Sequence, residues 1–352
     1  PVRRAITKSV KPRLKKTMSN KILITGGAGY IGSHVAKLFL EKRFEVVSFD
    51  NLSHGFKQPL EILKKYGKLT IIKGDLRNKK SIQKVFSENN INAVAHFAAL
   101  CSVNESMEQP EMYFENNVIG SFNLFEAMRK ASVKNIIFSS TCATYGEAEY
   151  LPMDEKHPQN PANPYGESKM LTEKMLRWYG SLHDFKYVIF RYFNVCGADT
   201  NGKIGDSKKP SSLLVQNATR GAMGIEPFSY TCQKVDTPDE SPIRDYIDVE
   251  DLADAHYLAC EYLQKNNNES AVFNLGNGAG WSVKEIVSKI EQVFGKKIDK
   301  KNGKARKGEY AKVYADSSKA FKILKWKPKK SMEDSILSLR KWYEKHPRGY
   351  DK

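Results

Sequence analysis

The chain has 352 residues, of which 40% are hydrophobic and 28% charged, and it carries a formal net charge of +17. This length supports a large core in one big domain or two lobes, and no apolar run is long enough to cross a membrane. The cysteines (Cys101, Cys142, Cys196, Cys232, Cys260) are scattered without a C-x-x-C, and the histidines lack ligand spacing. This argues against a disulfide framework or a metal site and fits a reduced, cytoplasmic setting.

Residues 1–20 hold Arg3, Arg4, Lys8, Lys11, Arg13, Lys15 and Lys16 and no acid. Without apolar periodicity, they are expected to be a disordered arm, and their composition also fits a transit peptide. The remaining chain keeps a charge of +10, which suits an enzyme whose cofactor and substrate both carry phosphates. Nucleic-acid binding finds no support, since there is neither an aromatic-rich basic stripe nor a helix-turn-helix signature.

The run Lys21-Ile-Leu-Ile-Thr-Gly-Gly-Ala-Gly-Tyr-Ile-Gly32 reads as a strand entering a glycine-rich turn, followed by an amphipathic helix over Tyr30–Glu41. This is the opening of a dinucleotide-binding βαβ unit, whose helix N-terminus offers N–H groups to phosphates. Glu45–Asp50 reads as the second strand, and it ends in an acid placed for an adenosine ribose. An acid there favours NAD over NADP, because a 2′-phosphate would meet a like charge.

Strands are expected at 69–72, 93–97, 135–140, 187–192 and 272–275, and helices over 81–88, 113–130, 165–179 and 248–261. The prolines of 151–164 predict a surface crossing, and 194–242 reads as loop-rich. Repeated βα units give an α/β fold: a doubly wound parallel Rossmann sheet with a smaller, discontinuous α/β substrate lobe. The expected division is a Rossmann domain over 21–193 with 238–275 contributing, and a substrate lobe from 194–237 and 276–352.

Tyr165-Gly-Glu-Ser-Lys169 places a tyrosine and a lysine four apart on one helix face. A nearby ammonium and a positively charged nicotinamide are expected to favour the phenolate, making Tyr165 a base. Pro164 suits the start of that helix. About twenty residues earlier, Phe138-Ser-Ser-Thr141 sets hydroxyls past a sheet strand, and Thr141 is the natural partner for a substrate hydroxyl.

With these motifs the chain resembles the extended short-chain dehydrogenase/reductase superfamily, and within it the UDP-glucose (UDP-galactose) 4-epimerases. The similarity runs from about Lys21 to Tyr350. Further stretches that carry it are His96-Phe-Ala-Ala99, Asn116-Asn-Val118, Arg191-Tyr-Phe-Asn194, Arg244-Asp-Tyr-Ile247 and Asn274-Leu-Gly-Asn-Gly278. The resemblance implies that Gly26, Gly29, Tyr30, Ile31 and Gly32 hold the NAD pyrophosphate, Asp50 and Asn51 the adenosine ribose, and Asp75 and Leu76 the adenine. Phe97, Ala98, Ala99, Asn116, Ser139 and Tyr192 would line the cofactor cleft. Thr141, Tyr165 and Lys169 match the catalytic triad, with Lys169 also reaching a ribose. Asn194, Leu214, Arg306, Glu309 and Val313 would face the UDP-sugar.

The implied reaction is transient oxidation at C4 with tightly bound NAD, rotation of the 4-keto sugar, and return of the hydride to the other face. The implied assembly is a homodimer that pairs the 113–130 and 165–179 helices in a four-helix bundle. Related 4,6-dehydratases carry an Asp-Glu pair after the threonine, where this chain has Cys142-Ala143. A non-catalytic Rossmann sensor is disfavoured by the intact triad. The chain departs from the family pattern at Cys101 (commonly lysine), Leu213 (commonly polar), Gly224–Pro227 (commonly bearing a phosphate-clamping arginine) and Asp248 (commonly His or Tyr). Val313 stands where a large aromatic marks glucose/galactose-restricted enzymes, so its small side chain leaves room for an N-acetyl group. UDP-pentose or UDP-uronate epimerisation, or another NAD-dependent modification of a nucleotide sugar, is the alternative.

Overall fold

A computed structural model of the chain describes residues 20–208, 211–265, 269–304 and 310–350. The basic arm lies outside the described residues, as do Arg306 and Glu309.

Apolar residues at consecutive strand positions require cover on both faces of a sheet, and the first half of the chain supplies it by alternating strands with helices. Strands β1 (Lys21–Thr25), β2 (Glu45–Asp50), β3 (Leu69–Lys73), β4 (Ala93–His96), β5 (Asn135–Thr141), β6 (Lys186–Tyr192) and β10 (Ala271–Leu275) form one sheet in the order β10-β6-β5-β4-β1-β2-β3. All its pairings are parallel, with Ile22 opposite both Val46 and Ala93. One face packs Ile22, Ile24, Phe190 and Phe273 against helices α1 (Tyr30–Glu41) and α9 (Val249–Leu263). The other packs Leu23, Phe49, Ile136 and Phe138 against α3 (Lys79–Glu88), α6 (Gly120–Lys130) and α7 (Pro164–His183). The alternation of Ile22, Leu23 and Ile24 between the two clusters is the period-2 signature of a strand. Strand order reverses between β1 and β4, which opens a crevice at their carboxyl ends.

Four strands form a second sheet. Strand β9 (Ile243–Asp248) pairs in parallel with β7 (Asn194–Cys196) and β13 (Lys312–Val313) and antiparallel with β11 (Gly280–Ser282). A short pair joins β8 (Phe228–Tyr230) to β12 (Lys300–Asn302). Helices α8 (Leu214–Met223), α10 (Val283–Phe294) and α12 (Met332–Lys345) pack here around Val215, Phe228, Ile286, Ile336 and Trp342. Helices α2 (Lys57–Leu63) and α11 (Ser318–Leu324) flank the main sheet. Among the described residues no helix is long and apolar enough to cross a membrane.

Two elements differ from expectation. The helix expected over 113–130 is broken into α5 (Pro110–Tyr113), a π-turn over Phe114–Ile119, and α6. The cause is a set of tertiary contacts: the buried Asn117 amide bonds the Leu100 N–H at 2.9 Å, the Leu100 carbonyl at 3.0 Å and Ser168 Oγ at 3.0 Å. A widened turn accommodates that inward side chain, and such turns recur near functional sites. The second is the 151–164 crossing, which is partly interior. Met153 is fully buried, and its N–H and carbonyl bond Tyr314 O and Asp316 N at 3.0 and 2.7 Å. Leu151, Met153 and Ala162, scattered among four prolines, give no periodicity that could reveal this.

Candidate active site

The crevice at the carboxyl ends of β1 and β4 continues into the second lobe as one cavity of about 940 Å³. The glycine loop forms one end. Gly26 adopts a φ of 75°, and a Cβ there would lie 2.6 Å from Ala98 N. At Gly32 a Cβ would overlap the Gly26 carbonyl, so α1 packs on its own entry loop only without one. Gly29 is the N-cap of α1 and no side chain caps it, so the first-turn N–H groups line the cavity at Gly29, Tyr30, Ile31 and Gly32. This cradle fits a diphosphate, and Asp50 stands beside it. The Asp50 carboxylate accepts the Ala28 N–H at 3.0 Å and the Leu52 N–H at 2.8 Å, while burial raises its pKa. Two carboxylate oxygens have about four lone-pair positions, so acceptors remain for ribose hydroxyls. Asn51 donates to Asp75 at 3.0 Å, and Arg77 holds the Asp75 carboxyl down at about 2. The cradle and the acid together suit a dinucleotide.

Strand β5 delivers the hydroxyls and α7 the tyrosine and lysine. Helix α7 starts where the sequence places it: Pro164 occupies its first turn, and the Asn163 side chain caps it by accepting the Gly166 N–H at 2.9 Å. Tyr165 and Thr141 both face the cavity, and the Thr141 side chain acts to favour the Tyr165 phenolate. Lys169 Nζ donates to the Ser139 carbonyl at 2.8 Å and lies 5.0 Å from the Phe138 ring centre. Burial pulls the Lys169 ammonium down to about 8, although Cys101 and Glu173 act in the opposite sense. The Tyr165 phenol is not lowered as the motif suggested. Burial pushes it well above 10, and the Thr141 side chain offsets only part of this. In the protein alone the phenol therefore stays protonated, and a cationic ring beside it would have to draw the proton off.

The cavity wall includes every other residue that the resemblance assigned to cofactor or substrate, except the two outside the described residues; Gly224–Pro227 and Asp248 do not line it. Leu76, Phe97, Ala98, Ala99 and Asn116 lie with the cradle, Ser139 and Tyr192 beside the triad, and Asn194, Leu214 and Val313 toward the second lobe. The Ser139 hydroxyl is hydrogen-bonded to the Tyr192 phenol. Arg244, Lys208 and Gln216 are among the wall residues to which the sequence reading assigned no role. Arg244, on β9, brings a guanidinium to the second-lobe end, near Tyr310 and Cys142. Lys208 and Gln216 approach from the segment leading into α8 and from α8 itself. Arg244 lies within Arg-Asp-Tyr-Ile, one of the stretches carrying the resemblance, so a signal existed. Lys208 sits in a polar loop that offers none. Among the described residues no cluster of potential metal ligands occurs.

Comparisons agree with this geometry. The profile of the family described as GDP-mannose 4,6 dehydratase matches residues 23–338. The UDP-glucose 4-epimerase of Halalkalibacterium halodurans is 44% identical over 331 residues, covering 94% of this chain and 97% of that protein. UDP-arabinose 4-epimerase 1 of Arabidopsis thaliana is 39% identical over 342 residues, covering 94% of this chain and 80% of the other. The crystal structure of the Bifidobacterium longum UDP-glucose 4-epimerase in complex with NAD+ and UDP superimposes with a TM-score of 0.89 at 36% identity, covering 94% of this chain and 100% of that one. A hydroxyl–tyrosine–lysine set at the end of a parallel sheet, a capless glycine cradle and a second lobe closing one shared cavity thus coincide with sequence similarity along nearly the whole chain, which belongs to the nucleotide-sugar epimerase and dehydratase family of extended short-chain dehydrogenases/reductases.

Proposed function

We propose that the protein is an NAD-dependent 4-epimerase that interconverts UDP-galactose and UDP-glucose. The observation that carries this reading is the Thr141–Tyr165–Lys169 set, placed in the same cavity as the glycine cradle and Asp50. When bound, NAD would supply a hydride acceptor at C4 of the sugar and give the hydride back. Tyr165 takes the proton from the 4-hydroxyl, and Thr141, on the same cavity wall, relays or stabilises that transfer. Lys169, one turn beyond Tyr165 on α7 and anchored on the Ser139 carbonyl, supplies in this reading the positive charge that favours a phenolate. Arg244 and Asn194, at the second-lobe end, suit the diphosphate about which the sugar turns.

Elimination of water, the dehydratase reaction for which the matching family is named, would need an added acid and base. Cys142 and Ala143 follow Thr141 on the wall, and burial pushes the Cys142 thiol up to about 12. The carboxylates lining the cavity among the described residues are Asp50, Asp75 and Asp206, none of them on the segment that follows Thr141. Epimerisation is therefore the favoured chemistry.

Val313 favours a second substrate. It is buried against Tyr145, Met153, Phe193 and Ala315 at the cavity wall, and its small side chain leaves room for an N-acetyl group at the sugar 2-position. A homodimer fits the same reading. Trp178 and Leu182, one turn apart on α7, are 66% and 67% exposed, and Ile119 and Phe122 lie exposed at the start of α6.

The test is product analysis after incubation of purified protein with UDP-galactose and no added NAD. Formation of UDP-glucose is expected. No conversion, with NAD released on denaturation, would move the assignment to another nucleotide sugar, and UDP-N-acetylglucosamine would be assayed next.

A further inference from the structure

The glycine cradle has a charge problem. A dinucleotide diphosphate brings about two negative charges, and the segment Gly26–Gly32 contains no lysine or arginine. The nearby side chains Asp50 and Asp75 are acids. Among the described residues, the lysines and arginines on the cavity wall are Lys169, Lys208 and Arg244. Lys169 is held on the Ser139 carbonyl beside Tyr165, and Arg244 lies at the second-lobe end near Tyr310.

Lys208 is placed differently. It borders both the main cavity and a small adjoining one of about 10 Å³, whose wall includes Gly29 and Tyr30 of the cradle. Its ammonium crosses the crevice to Cys101, just beyond β4, and donates to Sγ at 3.1 Å. A thiol is a weak acceptor, so this bond is easily exchanged for one to an anionic oxygen. The Lys208 backbone N–H is tied to Asp206 at 3.4 Å, and Asp206 is itself buried and accepts the Ser211 hydroxyl at 3.0 Å. Glu105 and Asp206 are the acids that face the ammonium. Gln216 reaches the same loop from α8. It is fully buried, its Nε2 lies 3.4 Å from the Tyr30 hydroxyl, and its Oε1 has no partner. Only the NH2 end of the amide can donate to a diphosphate, and its 3.4 Å contact with the Tyr30 hydroxyl is long enough to be exchanged for one.

We propose that Lys208, assisted by Gln216, is a binding residue for the dinucleotide diphosphate, so that the second lobe clamps the cofactor held by the first. This rests on the function proposed above and adds to it a physical cause for cofactor retention: release requires breaking contacts from both lobes. A charge-assisted contact of this kind corresponds to about a tenfold to hundredfold change in dissociation.

The test uses the purified protein with its bound dinucleotide, in unsubstituted form and as Lys208→Ala, Lys208→Arg and the neighbouring control Lys203→Ala. Release of NAD is followed with time after desalting, and the KM for UDP-galactose is measured with NAD in excess. Lys208→Ala is expected to release NAD about tenfold or more faster, with turnover restored by added NAD. Lys208→Arg and Lys203→Ala are expected to stay close to the unsubstituted protein. Unchanged release from Lys208→Ala overturns the proposal. So does unchanged release with a tenfold higher KM, which would assign the ammonium to the sugar-nucleotide diphosphate instead. If the unsubstituted protein carries no dinucleotide and binds none when it is added, the proposed function itself is refuted, an outcome distinct from both.

Discussion

The replacement Arg191→Met tests how helix α7 is held. Glu173 lies one turn beyond Lys169 on α7, fully buried, and its carboxylate accepts bonds from Arg191 Nε at 3.0 Å, an Arg191 terminal nitrogen at 2.6 Å, Ser140 Oγ at 2.6 Å and Arg177 at 3.0 Å. Arg191, on β6, is 2% exposed and also reaches the Tyr145 phenol at 3.1 Å. Burial opposes its charge, but the Glu173 bonds outweigh that and raise its pKa. Removing one partner of a buried pair leaves the other charge uncompensated, at a cost of about 3–5 kcal/mol. Arg177 stays in place and is partly exposed, so the lower end, about 3 kcal/mol, is expected. Urea unfolding should show this as a lowered midpoint with an unchanged slope. The double variant Glu173→Leu/Arg191→Met, which removes both charges, should be less destabilised than Arg191→Met alone. A loss below about 1 kcal/mol for the single variant, or a double variant weaker than the single, would refute the account of the pair as a buried charge couple.

Tyr165→Phe should lower kcat for epimerisation by about 10²–10⁴ while the bound dinucleotide is retained, since it removes the proton acceptor and little of the binding surface; activity within tenfold of the original would remove Tyr165 from that role. Gly32→Ala forces a Cβ onto the Gly26 carbonyl and should cut dinucleotide retention by about tenfold or more, measured as NAD released on denaturation. Burial raises the Asp248 carboxyl from an ordinary 3.8 to about 7, so the folded state resists its ionisation. Its destabilising effect is absent below the unfolded pKa and grows as pH rises through about 7, to at most roughly 4 kcal/mol. Asp248→Asn keeps a helix-capping side chain at the start of α9 and should raise the unfolding midpoint more at pH 8 than at pH 5, and equal effects at both would contradict the burial argument. Leu182→Glu with Trp178→Glu should give a monomer by light scattering with the far-ultraviolet spectrum unchanged, and an intact dimer would place the interface elsewhere.

The sequence by itself determined the main sheet, the glycine cradle and the grouping of Thr141, Tyr165 and Lys169. Parallel strands buried on both faces are written as short apolar runs, and β1, β2, β4, β5 and β6 fall within a residue or two of where those runs lie. Gly26, Gly29, Gly32, Asp50, Tyr165 and Lys169 owe their placement to local geometry: a turn, a strand end and one helix face. Such geometry depends on neighbours in the chain, so it is legible in one dimension. Tertiary structure decided what depends on distant partners. The π-turn at Phe114–Ile119 follows from Asn117 reaching Leu100 and Ser168, and the burial of Met153 from its bonds to Tyr314 and Asp316. The upward displacement of the Tyr165 phenol arises from desolvation, which no motif encodes. Lys208 meets Cys101 across 107 positions of sequence. Residues so far apart are joined only by how the two lobes close on each other, and that closure depends on packing summed over many side chains rather than on any local pattern.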